Sequence, residues 1–161
     1  MPAQTLEPHL VETLRKSAWE ILETMVFMTP SSVEPLAEDT SIFHDQVVGL
    51  LGFTGTRSGT FVVRTSDDLA RTMAAKMLMM EPGDLDDFEE VADAFGEIVN
   101  MLSGSFKNEW VANGNQMDLS VPHVVRHGNV NINSDAVSGV RSGIRVQIED
   151  MHVDIGVHFE A

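Results

Sequence analysis

Between residues 85 and 111 the apolar side chains recur with a helical period, and no proline interrupts them. Advancing about 100° per residue, Phe88, Val91, Phe95, Ile98, Val99, Leu102 and Phe106 fall in one stripe. A stripe of that length must be covered by other elements, so it predicts a long helix lying on a core. The helix is expected from about Leu85 to Val111, with Asn113-Gly114-Asn115 as its terminator, because these residue types tolerate the left-handed conformation that ends helices. On the opposite face Asp93, Glu97, Asn100 and Gly104 follow one another by four, three and four, with Asp86 and Glu90 extending the line. Periodicity alone describes that line as a solvated helix face, the ordinary case for polar residues, as readily as it describes a site. The small residues Ser103, Gly104 and Ser105 would let another backbone approach there.

The remaining segments supply what such a helix could pack on. Leu6, Leu10, Leu14, Ala18, Ile21, Leu22 and Met25 sit at helical spacing and predict an amphipathic helix over 5–27, ended by Thr29-Pro30. The acidic stretch that follows, to about Ser41, reads as loop or edge strand. Val47 to Phe53 and Thr60 to Val63, joined by Thr56-Arg57-Ser58-Gly59, read as a hairpin. Thr65-Ser66-Asp67-Asp68 is a helix start ahead of Leu69, Met73, Ala74, Met77 and Met80, and Glu81-Pro82-Gly83 is its stop. Beyond the long helix the pattern alternates as strands do: Met117 to Arg126, a weaker run at Val130 to Ile132, Ile144 to Glu149 and His152 to Phe159, with turns at Ser138 to Gly143 and Glu149-Asp150. The expectation is one α+β domain over 1–161, a mostly antiparallel sheet of about six strands carrying three main helices.

Charge narrows the partners. Ten basic residues against 25 acidic give a formal charge of −15, which repels nucleic-acid phosphates and anionic lipid. No apolar run approaches the roughly 20 residues of a membrane helix. Glu7, Glu12, Arg15, Lys16, Glu20 and Glu23 interrupt the first segment as no signal peptide would allow. Without cysteine there is no disulfide and no thiolate ligand or nucleophile. A soluble cytoplasmic protein is expected, with neither nucleic acid nor membrane as partner.

Other constellations carry less. His123 and His127, and His152 with His158 on one strand face, lack an accompanying carboxylate set, so structural or exposed histidine is expected and no metal site. Gly49, Gly52, Gly55 and Gly59 recur in strand context with no Lys-Ser or Lys-Thr after them, which is not a phosphate loop. Met73, Met77, Met79 and Met80 are expected in the core, and Trp19 and Trp110 as core or interface anchors.

The polar line has a second pattern in it. Asp93, three residues, Glu97, two residues, Asn100, twenty-one residues, Pro122 reproduces the spacing of the CheC, CheX and FliY phosphatase family, which has Asp or Ser, then Glu, Asn and Pro at those intervals. The hairpin at Val48 to Val63, the Met-rich helix and Val121-Pro122-His123-Val124-Val125 also resemble CheX, so the likeness spans nearly the whole chain. Two-site members carry a second Glu and Asn on the first helix. Here Glu20 and Glu23 hold that spacing and no Asn follows, so one site is expected.

The resemblance implies hydrolysis of the aspartyl phosphate of a CheY-like receiver domain in chemotaxis or two-component signalling. A mixed anhydride needs a placed water more than a strong nucleophile, and the amide of Asn100 offers both a donor and an acceptor for one. The family's Glu engages a lysine at the receiver's phosphorylation site, which would make Glu97 an orienting partner. Asp93 and Pro122 are expected to shape the site, with Gly104 at the contact. No cofactor is expected on this chain; Mg2+ belongs to the phosphorylated partner. The resemblance also implies a homodimer, expected to pair through strand edges at Met117 to Arg126 or Ile144 to Phe159. The alternative is a non-catalytic module that grips a receiver or a flagellar switch component.

Overall fold

The computed structural model describes residues 8–36, 46–85, 87–126 and 141–160, the side chains of Pro8 and Arg141 excepted. Outside them lie the start of the first helix, Asp86, His127, the weak strand at Val130 to Ile132 and the first half of the turn expected from Ser138 to Gly143.

Three helices pack on one face of a seven-stranded antiparallel sheet. Helix α1 spans Pro8–Ile21, α2 Asp67–Met77 and α3 Phe88–Ala112. The strands are β1 (Ser32–Pro35), β2 (Gln46–Gly55), β3 (Gly59–Ser66), β4 (Met117–Leu119), β5 (His123–Arg126), β6 (Arg141–Ile148) and β7 (Met151–Phe159). Their order is β1-β6-β7-β3-β2, with β4 and β5 both on the outer side of β2. The α+β expectation holds with one strand more than foreseen. The stretch left open as loop or edge contributes β1, and the single strand expected over Met117 to Arg126 is two. Pro122 divides them because it has no N–H to give a ladder.

The topology corrects part of the expected dimer geometry. β6 lies between β1 and β7, and β7 between β6 and β3. Ile144 to Phe159 is therefore sheet interior, with its hydrogen bonds already used on both sides. Only β1, β4 and β5 leave an edge among the described strands. The expected turn at Ser138 to Gly143 is likewise corrected over its last three residues, since Arg141, Ser142 and Gly143 already pair with His158, Val157 and Gly156. Alternation from Arg141 onward is broken by Ser142 and Gly143, which hid the strand's start.

The first helix is also shorter than its periodicity. After Ile21 the chain widens into a π-turn, Leu22–Val26, closed by Phe27 in the left-handed region with φ 63°, and the N–H groups of Phe27 and Met28 both reach the Leu22 carbonyl. Both Leu22 and Val26 stay fully buried through that turn. At the end of α2 the methionine expectation splits: Met73 is buried, but Met79 is 81% exposed because the helix has ended before it.

Helix α3 begins at Phe88, three residues later than expected, because Asp87 caps it by accepting a hydrogen bond from the Glu90 N–H. Its stripe is buried as read from Val91 onward, where Val91, Phe95, Ile98, Val99, Leu102 and Phe106 are at most 1% exposed, while Phe88 at its start is only partly buried. Two features fix how it lies on the sheet. In mid-helix it rests on Gly49 of β2, where an added Cβ would come within 2.5 Å of Val99 Cγ2. Toward its C-terminal end Phe106 and Trp110 join Phe61 and Phe159 in a chain of ring contacts with centroids 5.2–6.1 Å apart. The helix is thereby seated along its length, and its outward residues are held by a rigid support.

Candidate functional site

The site has to be looked for on the side of α3 that the sheet leaves open. Asp93 and Glu97 are exposed there, and Asn100 and Gly104 are half-buried. Among the described residues no side-chain hydrogen bond or ion pair engages Asp93, Glu97 or Asn100; the neighbouring Ser103 hydroxyl donates to the Val99 and Asn100 carbonyls, a local backbone contact. Polar side chains that the fold does not use remain available to something outside it.

Pro122, twenty-two positions along the chain from Asn100, is brought onto the same helix. Its Cγ lies 3.6 Å from where a Cβ on Gly96 would stand, with Val124 Cγ2 at 3.7 Å. Gly96 is one turn before Asn100 on the same stripe, and helical side chains lean toward the helix N-terminus, so the Asn100 amide leans over the turn that Pro122 covers. Pro122 thus lies against α3 at Gly96, the residue before Glu97 and one turn before Asn100, and Asp93 stands one turn before Glu97. Four of the residues read from the sequence converge on one surface. Gly96 was not among them. Its signal was a glycine inside a helix, next to the motif Glu, at a place where an added Cβ would already be in van der Waals contact with Pro122.

Gly104 extends that surface differently. An added Cβ there would meet nothing within 4 Å. A glycine in a helix interior costs about 0.5–1 kcal/mol relative to alanine, and at this position no neighbour inside the fold requires it.

Strand β5 is pinned at both ends. At its far end Arg126 pairs with Asp67 at 3.4 Å and lies over the Phe88 ring at 4.8 Å, tying β5 to the starts of α2 and α3. At its near end Ser120 exchanges two hydrogen bonds with Gly52 of β2: Ser120 N–H to the Gly52 carbonyl at 2.8 Å, and Gly52 N–H to Ser120 Oγ at 3.0 Å. Pro122 is held on α3 between these two anchors.

The other candidates stay apart from this surface. His152 and His158 lie on the sheet face away from the helices, where His152 pairs in register with Gln147. Burial, then the charge of Arg145, pushes the His152 pKa below its ordinary 6.5 against an opposing pull from Asp154. Arg145 itself forms a two-pronged pair with the buried Asp154, at 2.9 and 3.0 Å, which raises its pKa further. Among the described residues no group of three or more His, Asp or Glu is placed to hold a metal, and no helix is long and apolar enough to cross a membrane.

Known proteins share both the sequence and the architecture. The CheY-P phosphatase CheX of Thermotoga maritima is 26% identical over 133 residues, 82% of this chain and 84% of that one. CheX in the CheX–CheY–BeF3–Mg2+ complex of Borrelia burgdorferi superposes with a TM-score of 0.81 at 20% identity, covering 94% of this chain and 98% of that one. Chemotaxis protein CheX of Vibrio vulnificus superposes with a TM-score of 0.76 at 26% identity, covering 94% and 96%. The family model for chemotaxis phosphatase CheX matches residues 47–143, a span that contains Asp93, Glu97, Asn100, Gly104 and Pro122. The chain belongs to the CheX family of chemotaxis phosphatases.

Proposed function

We propose that this protein hydrolyses the aspartyl phosphate of a CheY-type receiver domain, with Asn100 positioning the attacking water and Glu97 orienting the partner. The observation that carries the reading is the convergence of Glu97, Asn100 and Pro122 on one outward face of α3, without internal partners among the described residues for the two polar side chains. A relative of similar length is a CheY-P phosphatase, and another has been captured with CheY, a fluoroberyllate and Mg2+.

The chemistry suits the residues. The acyl phosphate is already activated, so the chain has to order a water in line with phosphorus and exclude poorly aligned ones. An amide can accept from that water and donate to a phosphoryl oxygen, and Asn100 is half-buried, which limits its rotamers. Glu97 one turn away is an anion suited to a cationic side chain of the receiver. The charge of −15 on this chain makes neutralisation of the phosphate by the partner's own Mg2+ and lysine the economical arrangement. The protein itself then needs no bound cofactor. Two copies pairing through the β1 edge, at the opposite end of the sheet from β4 and β5, would form a homodimer that leaves the Pro122 side of α3 to the receiver.

The test is the decay of a phosphorylated CheY-type receiver in Mg2+, alone, with this protein and with its Asn100→Ala variant. Acceleration by the wild type and none by the variant is the expected result. Equal acceleration by both removes Asn100 from the chemistry, and none by either leaves a receiver-binding module.

A further inference from the structure

Between β4 and β5 the chain turns through Ser120-Val121-Pro122, and Val121 is 69% exposed. Its neighbours are fixed on either side. Ser120 is bonded twice to Gly52, and Pro122 is seated against Gly96 of α3. The far end of β5 is tied down by Arg126 on Asp67 and Phe88. A β-branched side chain with few rotamers is therefore held out to water at the rim of the Glu97 and Asn100 surface by a backbone that has little freedom to withdraw it.

We propose that Val121 is the apolar anchor of the phosphatase for its receiver: it fits against an aliphatic or aromatic side chain bordering the receiver's phosphorylation pocket and thereby sets the affinity, while Asn100 sets the rate. This rests on the receiver-phosphatase reading above. Three observations favour the choice of partner. The anchor is continuous with the candidate site through Pro122. The segment Ser120 to His123 carries no acidic residue in a chain of net charge −15, so the rim itself adds no repulsion toward a phosphorylated, anionic pocket. Finally, a β-branched side chain on a fixed backbone has few rotamers to lose, so an interface that buries it forfeits little conformational freedom.

The anchor is separable from the chemistry by steady-state kinetics on a phosphorylated CheY-type receiver and by binding of the same receiver loaded with fluoroberyllate and Mg2+. Val121→Asp is expected to raise both KM and Kd about tenfold while kcat at saturation stays within about twofold of wild type. Val121→Leu, which keeps the apolar contact, is expected to stay within about threefold of wild type in all three. Because the side chain is exposed, neither change should lower the melting temperature; a Val121→Asp variant that melts early is replaced by Val121→Ser for the same comparison. Wild-type KM and Kd in the polar variant overturn the proposal. If the wild type binds the receiver without accelerating decay, the catalytic reading fails, and the anchor still stands or falls on Kd. If the wild type does not bind, both fail.

Discussion

Helices α1 and α3 pack against each other, joined near their ends by Lys16 with Glu109 at 3.5 Å and by Asn113 near His9, and both carry two polar residues three apart on an outward face. In α3 these are Glu97 and Asn100, in the middle of 25 uninterrupted α-helical residues. In α1 they are Glu20 and Glu23, and the helix changes its winding between them: Glu20 is in the last α-helical turn and Glu23 in the π-turn. The wider π winding turns the second side chain away from the first. Among the described residues no proline packs beside the α1 pair as Pro122 does on Gly96, and Glu23 accepts a long hydrogen bond, 3.4 Å, from the Thr29 hydroxyl. On the proposed reading, equal spacing in sequence yields a site only where the backbone keeps its period and another element closes one side.

The largest effect that tests this contrast is the loss of the α3 amide. Asn100→Ala is expected to lower the rate of receiver dephosphorylation by roughly 100-fold or more, the scale seen when a positioning or electrostatic group is removed. Thermal melting should be unchanged within about 0.5 kcal/mol, because no side-chain partner within the described fold is lost. A variant that melts far below wild type would make Asn100 a structural residue and undo the distinction between the helices. Glu97→Gln comes next. It keeps shape and removes charge, so binding and rate should both fall, by about tenfold each, with the deficit shrinking as salt is added to both proteins. An unchanged rate takes Glu97 out of the mechanism.

That contrast marks how far sequence carries. The stripe from Val91 to Phe106 was legible because burial imposes a helical period on any helix that lies on a sheet. The motif positions were legible as a pattern of intervals, yet intervals could not say that Pro122 would come to rest over Gly96, since that contact depends on β5 returning beside β2 and being pinned by Arg126. Three things escaped, two for local reasons and one for a topological reason. The π-turn after Ile21 leaves the apolar spacing of Leu22 and Val26 looking helical. The strand β6 starts at Arg141, Ser142 and Gly143, which have little strand propensity to show; at Gly143 an added Cβ would come within 3.3 Å of the Ile155 carbonyl oxygen. Edge status depends on strand order: Ile144 to Phe159 has a strand's alternation, and only the pairing with β1 and β3 on either side makes it interior.

Gly104 sharpens the comparison through effects of opposite sign. Since nothing lies within 4 Å of an added Cβ, Gly104→Ala should stabilise α3 by about 0.5–1 kcal/mol and raise the melting temperature by about 2–3 °C. On the proposed reading the receiver's backbone comes close at this point, so KM should rise about threefold with alanine and more with Gly104→Leu. A variant that is more stable and binds less well identifies a glycine kept for the partner. If Gly104→Leu retains the wild-type KM, the partner does not reach this turn, and the contact surface ends at Asn100.

The smallest expected effect is the most demanding of the contrast. Glu23→Asn gives α1 the same Glu and Asn three apart that α3 has, and it removes only an exposed hydrogen bond from Thr29, a cost of at most about 0.5 kcal/mol. If spacing made the site, this change would add a second one. The π-turn predicts that it does not: the introduced amide would be rotated away from Glu20 and would have no proline wall beside it. The clean background is Asn100→Ala, in which any activity has to come from α1. Receiver decay with the double variant should match that with Asn100→Ala alone, within about twofold. A recovery of about tenfold or more would show that α1 can assemble a water-positioning pair despite its winding, and that only the identity of residue 23 separates the two helices.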